Sequence, residues 1–161
     1  MASRKIPARL WNAFALGSAS GHDEACFKIG RNYFQGNDTL VNFPRALQWF
    51  RKAAAMGDAR AMNFIGVMYH QGDALPKNDV HAVAWYRRAA HAGDMYAMHN
   101  LALAYKNARG TPLDYQRAMF WWRRAAALKF AGAECWIGNM LHDGHAVPFS
   151  YSAHDHRALA W

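Results

Sequence analysis

The sequence has little of what would indicate a disulfide framework, a membrane anchor or a disordered chain. It contains only 2 cysteines and 5 prolines among 161 residues, and its 11 acidic side chains are outnumbered by 19 lysines and arginines. No uninterrupted apolar run approaches the roughly 20 residues that a membrane span needs. Because 53% of the residues are hydrophobic, a packed core is expected and wholesale disorder is not.

Signatures of catalysis are also missing. The chain has no nucleophile in a recognisable turn motif, no glycine-rich phosphate loop and no H-E-x-x-H zinc motif. Asp58, Asp94 and Asp114 stand where helices are expected to begin, which gives them structural roles as caps. We therefore predict that the chain is not an enzyme and uses no cofactor.

One segment occurs three times in the sequence. WFRKAAAMGDARA at 49–61 returns as WYRRAAHAGDMYA at 85–97 and as WWRRAAALKFAGA at 121–133, so the interval is 36 residues both times. Further columns keep the same interval: Ala25, Ala61, Ala97 and Ala133; Tyr33, Tyr69 and Tyr105; Pro76, Pro112 and Pro148. A fixed period of this length is typical of a repeat architecture.

Each repeat is expected to form two helices. In residues 58–93, Ala61, Ile65 and Tyr69 recur at helical spacing and predict a helix A over about 58–70. The loop QGDALPKN follows, and a helix B is predicted over about 79–92. The apolar face of such a pair is too wide to bury alone, so successive pairs must stack on one another.

The ends of helix B carry recognisable capping residues. Asn42, Asn78 and Asp114 precede it in successive repeats and can accept a hydrogen bond from a free backbone N–H. Gly93 follows it as a glycine able to adopt a left-handed conformation. Lys129 replaces that glycine in the last repeat, so we expect the turn there to be strained or differently built.

These columns resemble those of the Sel1-like repeat family, relatives of the tetratricopeptide repeats. The matching residues of one unit are Ala61, Ile65, Gly66, Tyr69, Gly72, Pro76, Asn78, Ala82, Trp85, Tyr86, Arg88, Ala89, Ala90 and Gly93. The period of 36 differs from the 34 of plain tetratricopeptide repeats. The resemblance implies an all-α fold, a right-handed α-solenoid of stacked antiparallel helix pairs.

The resemblance extends over residues 22–161 and predicts a single domain. We expect an N-terminal cap helix at 1–21, full repeats at 22–57, 58–93 and 94–129, and a truncated fourth repeat at 130–161. The alternative for residues 1–20 is a secretory signal, since basic residues precede a short apolar stretch there.

The two ends of the domain also bear on location and assembly. Cys26 and Cys135 are too far apart in a solenoid for a disulfide, so free thiols and a cytoplasmic location are expected unless residues 1–20 direct export. RALAW at 157–161 matches the start of helix B, but the chain stops at Trp161. Either the chain is a fragment, or an incomplete apolar edge favours self-association or a partner.

By resemblance, the function is a non-catalytic protein–protein interaction, as an adaptor or scaffold. Helix A lines the concave surface in related repeats, and solenoids bind extended partners along such a surface. The partner-binding residues expected there, which we term the helix-A surface, are Phe27, Arg31, Asn63, Val67, His99, Leu103 and Asn139, with Cys135 in the same columns.

Two other classes of function stay open. Basic pairs recur at the repeat spacing as Arg51–Lys52, Arg87–Arg88 and Arg123–Arg124, and with a net charge of +8 they permit contact with an acidic protein or with nucleic acid. Trp49, Trp85 and Trp121 precede them but fall on the buried stripe, so no base-stacking surface is expected and nucleic acid is the less favoured partner. A metal-binding regulatory module would use the late cluster of His142, His145, His154, His156 and Cys135, although its spacing matches no zinc signature.

Overall fold

Seven α-helices make up the part of the chain that the structure describes. The structure is a computed structural model, and it describes residues 19–37 and 39–145. The helices are α1 (Ala19–Gln35), α2 (Phe43–Ala55), α3 (Ala59–Gln71), α4 (Asp79–His91), α5 (Met95–Lys106), α6 (Tyr115–Ala127) and α7 (Ala131–His142). No strand occurs within these ranges, so the all-α prediction is confirmed for them.

The helices alternate between two roles along the chain. We call α1, α3, α5 and α7 the A helices and α2, α4 and α6 the B helices. Each helix packs against the helix before it and the helix after it, and α3 also contacts α5. The A and B helices predicted for residues 58–93 agree with α3 and α4 to within one residue at each end.

Small residues allow the helices to approach closely at the repeated columns. Gly66 of α3 lies under the ring of Tyr86, and a Cβ there would come within 2.6 Å of that ring. Gly30 has the same relation to Phe50 in the preceding repeat. Ala61 is fully buried. The glycines of this column are therefore the positions at which α1 and α3 pack closely on their own B helices.

The core is divided into two clusters of buried side chains. One is built from α1, α2 and α3 and includes Phe50 and Ile65. The other is built from α4 to α7 and includes Trp122 and Leu101. The partly buried Met62 packs against both clusters. The division falls between α3 and α4, inside the second repeat.

Side-chain caps begin the helices where the sequence indicated them. Asn42, Asn78 and Asp114 each accept a hydrogen bond from the backbone N–H three residues ahead, at 3.0, 3.0 and 2.8 Å. Asp58 and Asp94 cap α3 and α5. These predictions are confirmed.

The turn after each B helix keeps one backbone conformation even where glycine is lost. Gly57 and Gly93 have φ of 94° and 95°, and Lys129 has φ of 66°. The Lys129 N–H donates to the carbonyl of Ala126 at 2.8 Å, which matches the bond that Gly93 makes. Lysine therefore occupies a left-handed conformation that disfavours any residue with a Cβ, as expected.

The N-terminal boundary differs from the sequence expectation at one residue. Gly21 was expected to end a preceding helix, as Gly57 and Gly93 do, but it lies inside α1. The first turn of α1 thus begins before the position of the equivalent turns. Residues 1–18 of the expected cap helix (1–21) or leader (1–20) lie outside the described residues, as does the segment from 146 to Trp161.

The remaining expectations about the core concern tryptophan and cysteine. Trp121 is buried, whereas Trp49 and Trp85 are half-buried. Cys26 is buried and Cys135 exposed, and both are free thiols, as expected. Burial raises the pKa of the Cys26 thiol. No helix among the described residues is both long enough and apolar enough to cross a membrane.

Candidate functional site

The helix-A surface is only partly open to solvent. Arg31, Asn139 and Cys135 are exposed, and Val67 and Leu103 are half-buried. The expectation of a continuous exposed face differs from the structure at Phe27 and Asn63, which are 5% and 7% exposed. The side chains of Phe27 and Asn63 are used in packing. The accessible part of the helix-A surface therefore excludes them and includes the half-buried Val67 and Leu103.

Phe27 is covered because it joins an aromatic cluster in the first repeat. Its ring centroid lies 6.0 Å from that of Phe50 and 5.7 Å from that of Phe64. The guanidinium carbon of Arg60 lies 4.4 Å from the Phe27 centroid. Aromatic rings at these distances pack favourably edge to face, so the ring is held in the core.

Asn63 is covered by the next A helix. Its Oδ1 accepts a hydrogen bond from Nδ2 of Asn100 at 3.0 Å, which links α3 to α5 across the repeat boundary. A buried amide must be paired in this way to avoid a desolvation cost of about 1–3 kcal/mol. The pair therefore fixes the spacing of two successive A helices.

His99 also serves as a link between helices. Its Nδ1 accepts a hydrogen bond from Nε1 of Trp122 at 3.0 Å, which places its own hydrogen on Nε2 when the ring is neutral. The Trp122 ring stacks on Trp136, with centroids 5.4 Å apart and planes 6° apart. Burial lowers the pKa of His99, which favours the neutral form that can accept this bond.

A cavity of about 60 Å³ lies where α3, α4 and α5 meet, beside Leu103. Its apolar wall comes mainly from α4. Its polar groups come from both A helices, from the first residue of α4 and from the loop before α6. The lining residues are His70, Asp79, Ala82, Val83, Tyr86, Asn100, Leu103, Ala104 and Arg109.

An imidazole–carboxylate pair lines one side of this cavity. His70 Nδ1 lies 2.5 Å from Asp79 Oδ1, which joins the end of α3 to the start of α4. Burial, followed by the charge of Asp79, raises the pKa of the Tyr86 hydroxyl. Gly110 lies so close to the Asp79 carbonyl that a Cβ would collide with it. The loop can therefore bring Arg109 to the cavity only with glycine at 110.

Little in the sequence predicts this cavity. His70 aligns with Phe34 and Lys106 in the other repeats, and Asp79 aligns with Phe43 and Tyr115. The available signal was Asp79 itself, because it departs from the aromatic residues of the other repeats and follows His70 by nine positions across the loop.

The described part of the late histidine cluster does not gather a metal site. No group of three or more histidine, cysteine or acidic residues suited to a metal occurs within 19–37 and 39–145. His142 and Cys135 are exposed. His145 stacks on Tyr115, with centroids 4.3 Å apart. His154 and His156 lie outside the described residues.

Three successive stretches of the chain, residues 23–58, 59–94 and 96–130, match the family profile described as Sel1 repeat. The chain belongs to the Sel1 repeat family. Sel1 repeats are generally protein–protein interaction modules and are typically non-catalytic. No curated protein matches this Sel1 repeat chain at a significant level.

Solved structures of other Sel1 repeat proteins share the fold, which confirms the solenoid prediction. A protective antigen of uropathogenic Escherichia coli that displays an SLR fold is 30% identical with a TM-score of 0.76; 87% of this chain aligns, to only 29% of the antigen. A Sel1 repeat protein from Oxalobacter formigenes is 30% identical with a TM-score of 0.71, over 83% of this chain and 99% of that one. The cysteine-rich protein B of Helicobacter pylori, 18% identical with a TM-score of 0.63 over 83% and 97% of the two chains, shares the fold.

Proposed function

We propose that this Sel1 repeat protein is a non-catalytic adaptor that binds a partner protein on the accessible part of the helix-A surface. The observation that supports this most is the cavity beside Leu103, which is bounded by A helices of two successive repeats. It combines an apolar wall with a few polar groups, the usual make-up of a recognition pocket. A side chain of the partner would enter it.

The proposal is tested with a double variant of the half-buried residues, Val67→Glu with Leu103→Glu. The tagged chain is used to capture proteins from lysate of its own cells, treated with nuclease, at about 150 mM salt, where the Debye length is about 8 Å. We expect the wild type to retain a few stoichiometric proteins and the double variant to lose them, because each carboxylate would sit in the contact.

The matched control places the same two charges elsewhere. Gln116→Glu with Ala131→Glu changes exposed positions in the first turns of α6 and α7, where acidic residues suit the helix dipole. Circular dichroism verifies folding of both variants. Retention of the same proteins by the Val67/Leu103 variant would place binding elsewhere, and capture of the bait alone would remove the adaptor proposal.

Location and self-association are proposed separately. A cytoplasmic location is supported by the free thiols of Cys26 and Cys135, and cell fractionation with an N-terminal sequence of the mature chain tests it against export. Self-association through an edge at Trp161 stays a prediction, which sedimentation velocity over a wide range of concentration tests.

A further inference from the structure

Within the described residues, the B helices carry a large excess of positive charge. Eight lysines and arginines lie on these three helices: Arg45, Arg51, Lys52, Arg87, Arg88, Arg117, Arg123 and Arg124. Their only acidic residue is Asp79, which already contacts His70. The A helices are nearly balanced, with Lys28, Arg31, Arg60 and Lys106 against Asp23, Glu24 and Glu134.

Most of these cations have no carboxylate beside them among the described residues. Among the ion pairs of the described residues, Arg117 is the only one of the eight that takes part, with Asp114. Arg87 donates to the hydroxyl of Tyr105 at 3.3 Å. A layer of unneutralised cations attracts anionic partners and speeds their association.

One cation of each repeat is held in a fixed position over a tryptophan three residues before it. Lys52 Nζ lies 4.4 Å from the centroid of Trp49. The guanidinium carbon of Arg88 lies 5.0 Å from the Trp85 centroid, and Arg124 lies 5.5 Å from Trp121. Cation–π contact of this kind restrains the side chain, so less conformational freedom is lost when an anion binds.

We propose that Lys52, Arg88 and Arg124 form a docking surface for an extended acidic segment of a partner protein. Successive B helices do not pack extensively on each other, so equivalent side chains are more than the roughly 10 Å of directly packed helices apart. An extended peptide covers about 3.3 Å per residue, so its acidic residues must be spread along the segment, rather than clustered, to meet successive cations. This surface lies on the B helices and does not depend on the helix-A surface.

A protein segment fits this surface better than a single-stranded nucleic acid does. Proteins that bind single strands combine a basic groove with aromatic rings on which the bases stack. Here a cation already lies over the rings of Trp49 and Trp85, and Trp121 is 3% exposed. Carboxylates need no ring face, and arginine binds them with two parallel hydrogen bonds.

The test measures the affinity of the full chain for labelled peptides by fluorescence anisotropy. One peptide repeats Glu-Gly-Ser, a second replaces each Glu by Gln, and a third has the same Glu residues in one block. We expect the first peptide to bind more tightly than the other two. The variant Lys52→Gln with Arg88→Gln and Arg124→Gln is expected to weaken its binding about tenfold, as the sum of three exposed ion pairs.

The control variant removes three charges from positions off the B helices. It is Lys28→Gln with Lys77→Gln and Lys106→Gln, of which the first two are exposed and the third is half-buried, and its affinity should stay within about twofold of wild type because local charges are screened beyond a Debye length. Urea unfolding verifies that both variants fold.

Four results would overturn the proposal. Equal loss in the two variants would mean that only net charge matters. Equal binding of the block peptide would remove the spacing argument. Tighter binding of a single-stranded or duplex oligonucleotide at the same salt, lost in the Lys52/Arg88/Arg124 variant, would assign the surface to nucleic acid. Absence of peptide binding would remove the surface as a docking site, whatever the helix-A variants do.

Discussion

Lys129 adopts the backbone conformation that glycine adopts after the other two B helices. Its φ of 66° is a left-handed value that costs a residue with a Cβ roughly 1–2 kcal/mol. We expect Lys129→Gly to raise the free energy of unfolding by about 1 kcal/mol, because the relieved strain exceeds the added freedom of the unfolded glycine. Urea unfolding measures the change.

The reciprocal substitution is the control for Lys129. Gly93 has φ of 95°, and a Cβ there meets no neighbouring atom within 4 Å. Gly93→Lys should therefore lower stability by a similar amount, through backbone strain alone. If Lys129→Gly were neutral while Gly93→Lys destabilised, the lysine side chain would be making a compensating contact.

His99 makes the stability of the fold dependent on pH. Because burial lowers its pKa in the folded state, the unfolded chain binds the proton more readily. The contribution of His99 to the free energy of unfolding is therefore fully present above the unfolded pKa of about 6.5, and it falls as the pH decreases below that value. Protonation would also remove the acceptor for Trp122 Nε1.

The variant His99→Gln tests this dependence on pH. Glutamine keeps an acceptor for Trp122 and does not titrate. We expect the wild type to lose more unfolding free energy than the variant between about pH 7.5 and 5, where histidine titrates. Equal losses in the two proteins would exclude His99 as a source of the acid sensitivity.

Individual helices differ in how strongly their first turns are fixed. Asp58 accepts from the N–H groups of Arg60 and Ala61, and its carboxylate also pairs with the Arg60 guanidinium at 2.7 Å. Asp94 caps α5 through Ala97, and burial raises its pKa. Tyr96 stands where α3 has Arg60.

The two caps should consequently differ in their contribution to stability. We expect Asp58→Ala to cost about 2 kcal/mol and Asp94→Ala about 1 kcal/mol, within the usual range for a lost N-cap. Thermal unfolding of the two variants measures the difference. An equal or reversed order would show that the Arg60 contacts add nothing to the cap.

Helices and caps were predictable because the repeats present the same pattern several times. Ala61, Ile65 and Tyr69 recur in columns, so the limits of α3 could be located from other repeats as well as from its own residues. The burial of Asn63 was not predictable, since it depends on Asn100 in the next unit. This contact between repeats involves a position at which the repeats carry different residues.

The same limit applies to the candidate site. Leu103 was assigned to the helix-A surface, and the cavity lies beside it. His70, Asp79 and Arg109 were not assigned, because no motif joins them and only the folded loop brings Arg109 near. A feature that occurs in only one repeat forms no column of matching residues, so the periodic pattern does not predict it.

At the scale of the whole molecule, the basic layer should make stability depend on ionic strength. Eight cations on the three B helices repel one another, which destabilises the compact state. We expect the urea midpoint to rise between about 20 and 300 mM sodium chloride, because salt shortens the range of the repulsion.

The Lys52/Arg88/Arg124 variant provides the comparison for this salt effect. With three of the eight cations replaced by glutamine, its midpoint should rise less over the same range of salt. The Lys28/Lys77/Lys106 variant should keep the wild-type response. A midpoint that is independent of salt in all three proteins would show that the cations of the layer are too far apart to repel.

The division of the core inside the second repeat has a consequence for how such a chain can be shortened or extended. Residues 58–93 form one unit of the sequence, yet α3 packs with the first cluster and α4 with the second. The two helices of this unit still pack on each other, with Gly66 of α3 under the ring of Tyr86 of α4, so the unit ties the two clusters together. Deleting it would therefore take buried side chains from both clusters at once, and an inserted copy would have to supply them to both.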